Sequence, residues 1–235
     1  MAAALACLPG APANISVCKV TQAQAAQQLA LDIAQRLREA IAARSRAVLS
    51  VSGGKSPLAL FEALRAQRLD WSRVVVTLVD ERCVPALHVD SNALLVCTHL
   101  LQDQAAAARW VPMVSARTAP LPAPDDLARQ ANAALLATGA ADVTVLGMGV
   151  DGHMASLFAD ATNLGAALDP ASPDACMAMD LPTPPAHAPH ARISQTLAQL
   201  LRSRASCTNL KPLLPSGFPY DTSPASGTGR SHCAH

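Results

Sequence analysis

No excess of either charge stands in this sequence: 18 Lys and Arg nearly cancel 17 Asp and Glu over 235 residues. So even a balance offers no electrostatic footprint for nucleic acid or an anionic membrane surface, and an anionic ligand would need locally placed cations. No run of about 18 apolar residues occurs, which removes a membrane-spanning helix. No Lys or Arg precedes Lys19, so the apolar start lacks the basic region of a secretory leader. The seven cysteines, at 7, 18, 83, 97, 176, 207 and 233, include no C-x-x-C pair. That excludes the common zinc and thioredoxin-like spacings, and an odd, scattered set reads as reduced thiols in the cytoplasm rather than a disulfide framework. No metal site is expected.

Thr21 is placed to cap a helix reaching about Arg44, with Ala25, Leu29, Ile33, Leu37 and Ile41 on its buried face. Ala47 to Val51 reads as a short buried strand, followed at once by Ser52-Gly53-Gly54-Lys55-Ser56-Pro57 and a helix that uses Leu58, Leu60, Phe61 and Leu64. Val74 to Val79 is β-branched and apolar on both faces, as a central parallel strand should be. A polar loop from Asp80 to Asn92, a helix from Ser91 to Leu101 and a short strand near Val111 to Val114 come next. A helix to about Thr138, a strand from Asp142 to Leu146, a proline-rich connector (182–189), a strand from Ala191 to Thr196 and a helix from Leu197 to Ser203 complete the reading. Short strands alternating with longer helices predict one α/β domain with a parallel sheet and helices on both faces. Ligands of such sheets bind beyond the carboxyl ends of the strands, where the polar loops fall.

Gly54-Lys55-Ser56 matches the end of a Walker A loop, but that pattern needs a glycine where Leu49 stands, so a nucleoside triphosphate is excluded. A strand, small polar residues and a helix N-terminus still suit an anion, although a tight turn alone would also require glycine. Gly147 to Gly152 fits G-x-G-x-x-G after a strand, yet no strand precedes Asp169 or Asp174 at the distance a dinucleotide fold would use. His153 closes that loop on the ligand face, two residues from Asp151; a neutral imidazole there can take a proton from water. Asp151 either orients it or caps the next helix. Asp80-Glu81-Arg82 is either a solvated loop or the source of an acid and a fixed cation. Arg82 beside Cys83 can lower a thiol pKa, but the next position along a loop usually points away, and no G-x-S-x-G elbow supports a covalent route. His88, His99, His187 and His190 are too dispersed to read as ligands.

Taken together, SVSGGKSPLALFEAL (50–64), TLVDERCVPALHVDSNALLV (77–96), VLGMGVDGHMASLFAD (145–160) and PHARIS (189–194) resemble the 6-phosphogluconolactonase family, within the superfamily shared with glucosamine-6-phosphate isomerases. The resemblance covers roughly residues 20 to 203, and the Met-Ala-Ser-Leu-Phe after His153 is the lactonase form. It implies a modified Rossmann-like α/β fold and cofactor-free hydrolysis of 6-phospho-D-glucono-1,5-lactone in the oxidative pentose phosphate pathway. By motif, His153 is the general base with Asp151 beside it. Ser52, Gly53, Gly54 and Ser56 hold the phosphate with Arg192, and Asp80 and Arg82 flank the lactone. Lys55, Asn92 and Gly149 complete the expected substrate-binding set, with Arg82 or the glycine-loop N–H groups as oxyanion donors. The expected partner is that small molecule alone, with no nucleic acid or membrane, and the expected state is a monomer.

Two departures from the family pattern stand out. Ala159 replaces a usual proline. After the RIS segment, the expected apolar strand, Gly-x-x-Lys turn and final helix are missing, and Lys211 has neither glycine nor strand before it. Residues 1–203 are thus expected as the lactonase-like domain and 204–235 as a disordered, frameshifted or substituted tail. An inactive sugar-phosphate-binding homologue and a glucosamine-6-phosphate isomerase or deaminase are the competing readings.

Overall fold

The computed structural model describes residues 22–149, 151–183, 185 and 188–209. Helix α1 (Gln22–Arg44) buries Ala30, Ile33, Ala34, Leu37 and Ala40, with Leu29 and Ile41 packed at the edge of that stripe. Thr21, expected to cap it, lies outside the described residues.

Five strands form the main sheet: β1 (Ala47–Val51), β2 (Val74–Leu78), β4 (Arg109–Val111), β5 (Val143–Gly147) and β8 (Ser206–Asn209). Their order is β4-β2-β1-β5-β8 and every neighbouring pair is parallel. Leu49 and Val51 of β1 join Ile33 and Leu37 of α1, and Leu60 and Phe61 of α2 (Leu58–Arg65), in the main core. Val48 and Val75 point to the other face, where Ala134 of α4 (Pro124–Thr138) packs. Helices therefore cover both faces, as an apolar parallel sheet requires.

The chain leaves β1 toward β2 and β4 on one side and returns to β5 and β8 on the other. The order reverses between β1 and β5, and the crevice at such a reversal is the place where doubly wound sheets bind ligands.

A second, antiparallel sheet is ordered β3-β7-β6 and comprises β3 (Asp80–Arg82), β7 (Arg192–Gln195) and β6 (Cys176–Met179). It grows out of the first, because only Val79 separates β2 from β3. The Gln195 side-chain amide donates to Ser50 Oγ at 3.0 Å and to the Leu78 carbonyl at 2.8 Å. These two buried bonds lock the small sheet above the carboxyl end of the large one.

Three expectations are corrected. Asp80 to Arg82 opens as a strand rather than a loop, because its backbone pairs with β7 although its side chains are charged. Cys176–Met179 is a strand that sequence periodicity did not show. The sheet continues past residue 203: Ser206–Asn209 pairs with β5, so the ordered α/β unit runs at least to Asn209. Backbone hydrogen bonds, not an apolar pattern, create that short strand. The remainder of the expected tail, residues 210–235, lies outside the described residues.

Candidate active site

The turn after β1 and the loop after β5 meet at the strand-order reversal. Ser52 Oγ accepts the Gly147 N–H at 3.0 Å and joins the two segments directly. Gly54 has φ +83° and Gly152 φ +86°, left-handed backbone that suits glycine. At Gly53 the constraint is contact: a Cβ there would lie 2.0 Å from Asn92 Oδ1. A Cβ on Gly149 would meet the His153 ring at 2.3 Å and Asp151 Oδ1 at 2.6 Å. Both glycines are needed so that functional side chains can lie against the main chain.

The resulting cleft has about 670 Å³ of empty space including its open mouth, room for a small phosphorylated sugar. Ser52, Gly53, Gly54, Ser56, Asp80, Arg82, Asn92, Gly149, His153 and Arg192 all line it. Ten of the sequence-predicted site residues therefore converge. Two stand apart: Lys55 is exposed and does not line the cleft, since its side chain leaves the turn into solvent; Asp151 reaches it only through His153. Phe158 and Ala155 line it too, and sequence reasoning had not singled them out as site residues; Gly147 and Met148, also lining, belong to the glycine-rich loop (147–152) expected to offer oxyanion donors.

His153 Nδ1 lies 2.5 Å from Asp151 Oδ1. A carboxylate partner places the ring proton on Nδ1 and leaves the lone pair on Nε2. That hydrogen bond is also the main reason the Asp151 carboxyl is held below its ordinary range. The Phe158 ring packs on the imidazole with centroids 4.1 Å apart, and the Arg192 guanidinium lies 5.5 Å from the same ring. The catalytic candidate is thus held by a carboxylate at its Nδ1 edge and an aromatic ring against its face.

The strand Asp80-Glu81-Arg82 divides its labour. Asp80 accepts from Ser156 Oγ at 2.6 Å and lines the cleft. Glu81 turns inward, fully buried, and accepts from the Arg82, Asn92 and Ala93 N–H groups and from Ser91 Oγ, at 2.7 to 3.0 Å. It thereby caps α3 (Asn92–His99) and fixes Asn92 against Gly53. Burial pushes its carboxyl up to about 7 despite those donors. Arg82 and Arg192 are direct cross-strand partners. Burial first, and then the Arg82 charge, lower the pKa of Arg192. Arg82 Nε, Arg192 Nε and Asn92 Oδ1 are buried without a hydrogen-bond partner among the described residues. Buried polar atoms are almost always satisfied, so three orphans on one cleft wall mark a polar ligand site, and two guanidinium groups select an anion.

Burial, and then the nearby Glu81 charge, push the Cys83 thiol up to about 11, which disfavours a covalent route through it, in line with the expectation.

A family model described as Glucosamine-6-phosphate isomerases/6-phosphogluconolactonase matches residues 20–210. The chain is 44% identical to a 6-phosphogluconolactonase of Pseudomonas putida over 190 residues, which is 80% of this chain and 75% of the relative. It is 46% identical to one from Mesorhizobium japonicum over 179 residues, 76% of this chain and 72% of that one. A crystal structure of a 6-phosphogluconolactonase from Shewanella baltica superposes with TM-score 0.72 at 39% identity, covering 80% of this chain and 77% of that one.

Proposed function

The chain belongs to the glucosamine-6-phosphate isomerase/6-phosphogluconolactonase family, and from that membership we propose that it hydrolyses 6-phospho-D-glucono-1,5-lactone to 6-phosphogluconate. The observation that carries the reading is the pairing of a carboxylate-held imidazole with two arginines whose buried Nε atoms lack a hydrogen-bond partner among the described residues, all in one cleft. The glucosamine-6-phosphate isomerase alternative finds no support in the relatives above, which are lactonases by name.

In this reading the phosphate binds Arg192 and the Ser52–Ser56 turn, just before α2, where the helix dipole favours an anion. The lactone carbonyl then lies between Asp80, Arg82 and His153. His153 Nε2 takes a proton from water as the oxygen attacks the carbonyl carbon, and Asp151 steadies the imidazolium that forms. The carbonyl becomes a tetrahedral oxyanion. Arg82 is the better of the two expected donors, because the Gly147, Gly149 and Gly152 N–H groups are already committed to Ser52 Oγ, the His153 carbonyl and the Gly149 carbonyl. Collapse breaks the bond from carbonyl carbon to ring oxygen, which leaves as the C5 hydroxyl with the proton returned by His153. A lactone carbonyl is reactive enough that base plus oxyanion donor suffice, with no cofactor in the sequence of steps.

The reading needs only the small phosphorylated lactone as partner, and neither nucleic acid nor membrane. The state we propose is a monomer. Among the described residues no helix is long and apolar enough to cross a membrane, and the cytosol, where sugar phosphates are metabolised, is the compartment we assign. The test is acid release from freshly prepared 6-phosphogluconolactone, corrected for spontaneous hydrolysis. Turnover by the wild type that disappears in His153→Ala supports the proposal; a folded wild-type protein that does not exceed the spontaneous rate refutes it.

A further inference from the structure

Outside the cleft, a loop and a strand-entry segment bring His88, Asp90 and His190 together. Their donor atoms all lie within 4.8 Å of one another. Asp90 Oδ2 is the hub, 2.8 Å from His190 Nε2 and 3.8 Å from His88 Nδ1. Tetrahedral zinc with N and O ligands near 2.1 Å separates its donors by about 3.3 Å, so these two spacings bracket the required one. The rings stand edge to face at 80°, centroids 5.3 Å apart, so their nitrogens converge while the rings do not stack. His88 Nδ1 accepts the Asp90 N–H at 3.1 Å, so that nitrogen is unprotonated, and ligation requires the ring to turn its lone pair from that N–H to the ion. His88 is partly exposed, free to close the last fraction of the geometry, and solvent can supply a fourth ligand.

We propose that His88, Asp90 and His190 bind one Zn²⁺-class ion, which ties the 83–91 loop to the 188–191 segment at the rim of the cleft. Imidazole and carboxylate suit that class of metal, and three protein ligands leave one coordination position for water. The ion takes no part in the hydrolysis. Its neighbour is Arg82, whose Nη1 donates to the Asp90 carbonyl at 2.5 Å, while His190 stands two residues before Arg192. The tie would therefore brace the two segments that carry the cleft's arginines. Nothing in it depends on the assigned reaction.

The test titrates the full, untagged, chelator-stripped chain with ZnCl₂ by calorimetry, alongside His88→Ala and His190→Gln. A His232→Ala/Cys233→Ala/His235→Ala chain controls for the histidines and cysteine near the C-terminus. One ion per chain is expected, with binding weakened by at least about tenfold in each cluster variant and unchanged in the tail variant. Zinc should raise the unfolding temperature of the wild type and not of the cluster variants. Should a cluster variant fail to fold, Co²⁺ bound to the wild type decides: the intense visible absorption of tetrahedral coordination is expected. An octahedral or absent Co²⁺ spectrum, absence of micromolar zinc binding, or loss of binding only in the tail variant overturns the site.

Discussion

Removing the carboxylate of Asp151 tests the base assignment without touching the base. Asp151→Asn keeps an oxygen able to accept the Nδ1 proton but loses the charge; Asp151→Ala loses both. A hydrogen bond to a charged group contributes about 1.5–3 kcal/mol, and a neutral one about 0.5–1.5. The Asp151 side chain is 56% exposed, so solvent screens part of that, and the lower half of each range applies. The asparagine variant should lose roughly five- to tenfold in kcat and the alanine variant roughly ten- to fiftyfold. His153→Ala should lose about 10²- to 10⁴-fold, the usual span for general base catalysis. Asp151 acts through His153, so the Asp151→Ala/His153→Ala double variant should be no slower than His153→Ala alone. Initial rates of acid release give all four numbers, and the unfolding temperature should barely move because Asp151 sits at the surface. Asp151→Ala within twofold of wild type would refute the orienting role, and a double variant slower than His153→Ala would mean that Asp151 meets the substrate itself.

The remaining expectations concern the frame around the base. Gly53→Ala drives a Cβ into Asn92 Oδ1, 2.0 Å away, and should destabilise the fold by about 1–3 kcal/mol in thermal unfolding while raising KM. Arg192→Lys keeps the charge but loses the forked contact. One lost charged hydrogen bond corresponds to about a tenfold or larger rise in KM, with kcat changed little. Glu81 has a folded pKa raised from 4.5 to about 7, so the folded state holds its proton more tightly than the unfolded chain. Its contribution is full below pH 4.5 and declines as pH rises through 7, by about 3 kcal/mol in all. The difference in urea-unfolding free energy between wild type and Glu81→Gln should fall by that amount from pH 4.5 to 8. A flat difference would show that the four donors keep the carboxylate ionised throughout.

Elements with a buried apolar period were legible in the sequence. Strands β1, β2 and β5 lie within a residue of their expected bounds, and α1 ends at Arg44 as expected. Those carried by backbone pairing were not: β3 is Asp-Glu-Arg and β8 is Ser-Cys-Thr-Asn, and neither has a hydrophobic face to betray it. In the site, the sequence points to the glycine-rich turns and His153 because close approach demands glycine, and the fold brings both turns and the imidazole to one cleft. Lys55 lies outside the cleft lining, because a motif fixes the order of residues and not the direction in which a turn aims each side chain. Ser156, which donates to Asp80 across 76 positions, and Phe158, which faces the imidazole, follow His153 in the segment that carried the resemblance, yet their partners appear only once the chain is folded.

Like charges placed directly opposite on neighbouring strands oppose sheet formation, yet Arg82 and Arg192 are cross-strand partners in a sheet of three short strands. Nothing about folding calls for that pairing. Elsewhere in the same sheet the pairs are unstrained, as in Glu81 opposite Ile193 and Asp80 opposite Ser194. What holds the arginine pair is the surrounding frame: Gln195 fastens the sheet to Ser50 and Leu78, and Glu81 locks its edge to α3. Each guanidinium keeps one main-chain carbonyl contact, Asp90 for Arg82 and Ala188 for Arg192, and leaves its Nε unsatisfied. A phosphate dianion on Arg192, with the carbonyl oxygen on Arg82, would relieve the mutual repulsion and give each guanidinium an acceptor. The free protein thus carries a local electrostatic cost that is refunded only on binding, and the rigid frame spares the arginines from reorganising when the anion arrives.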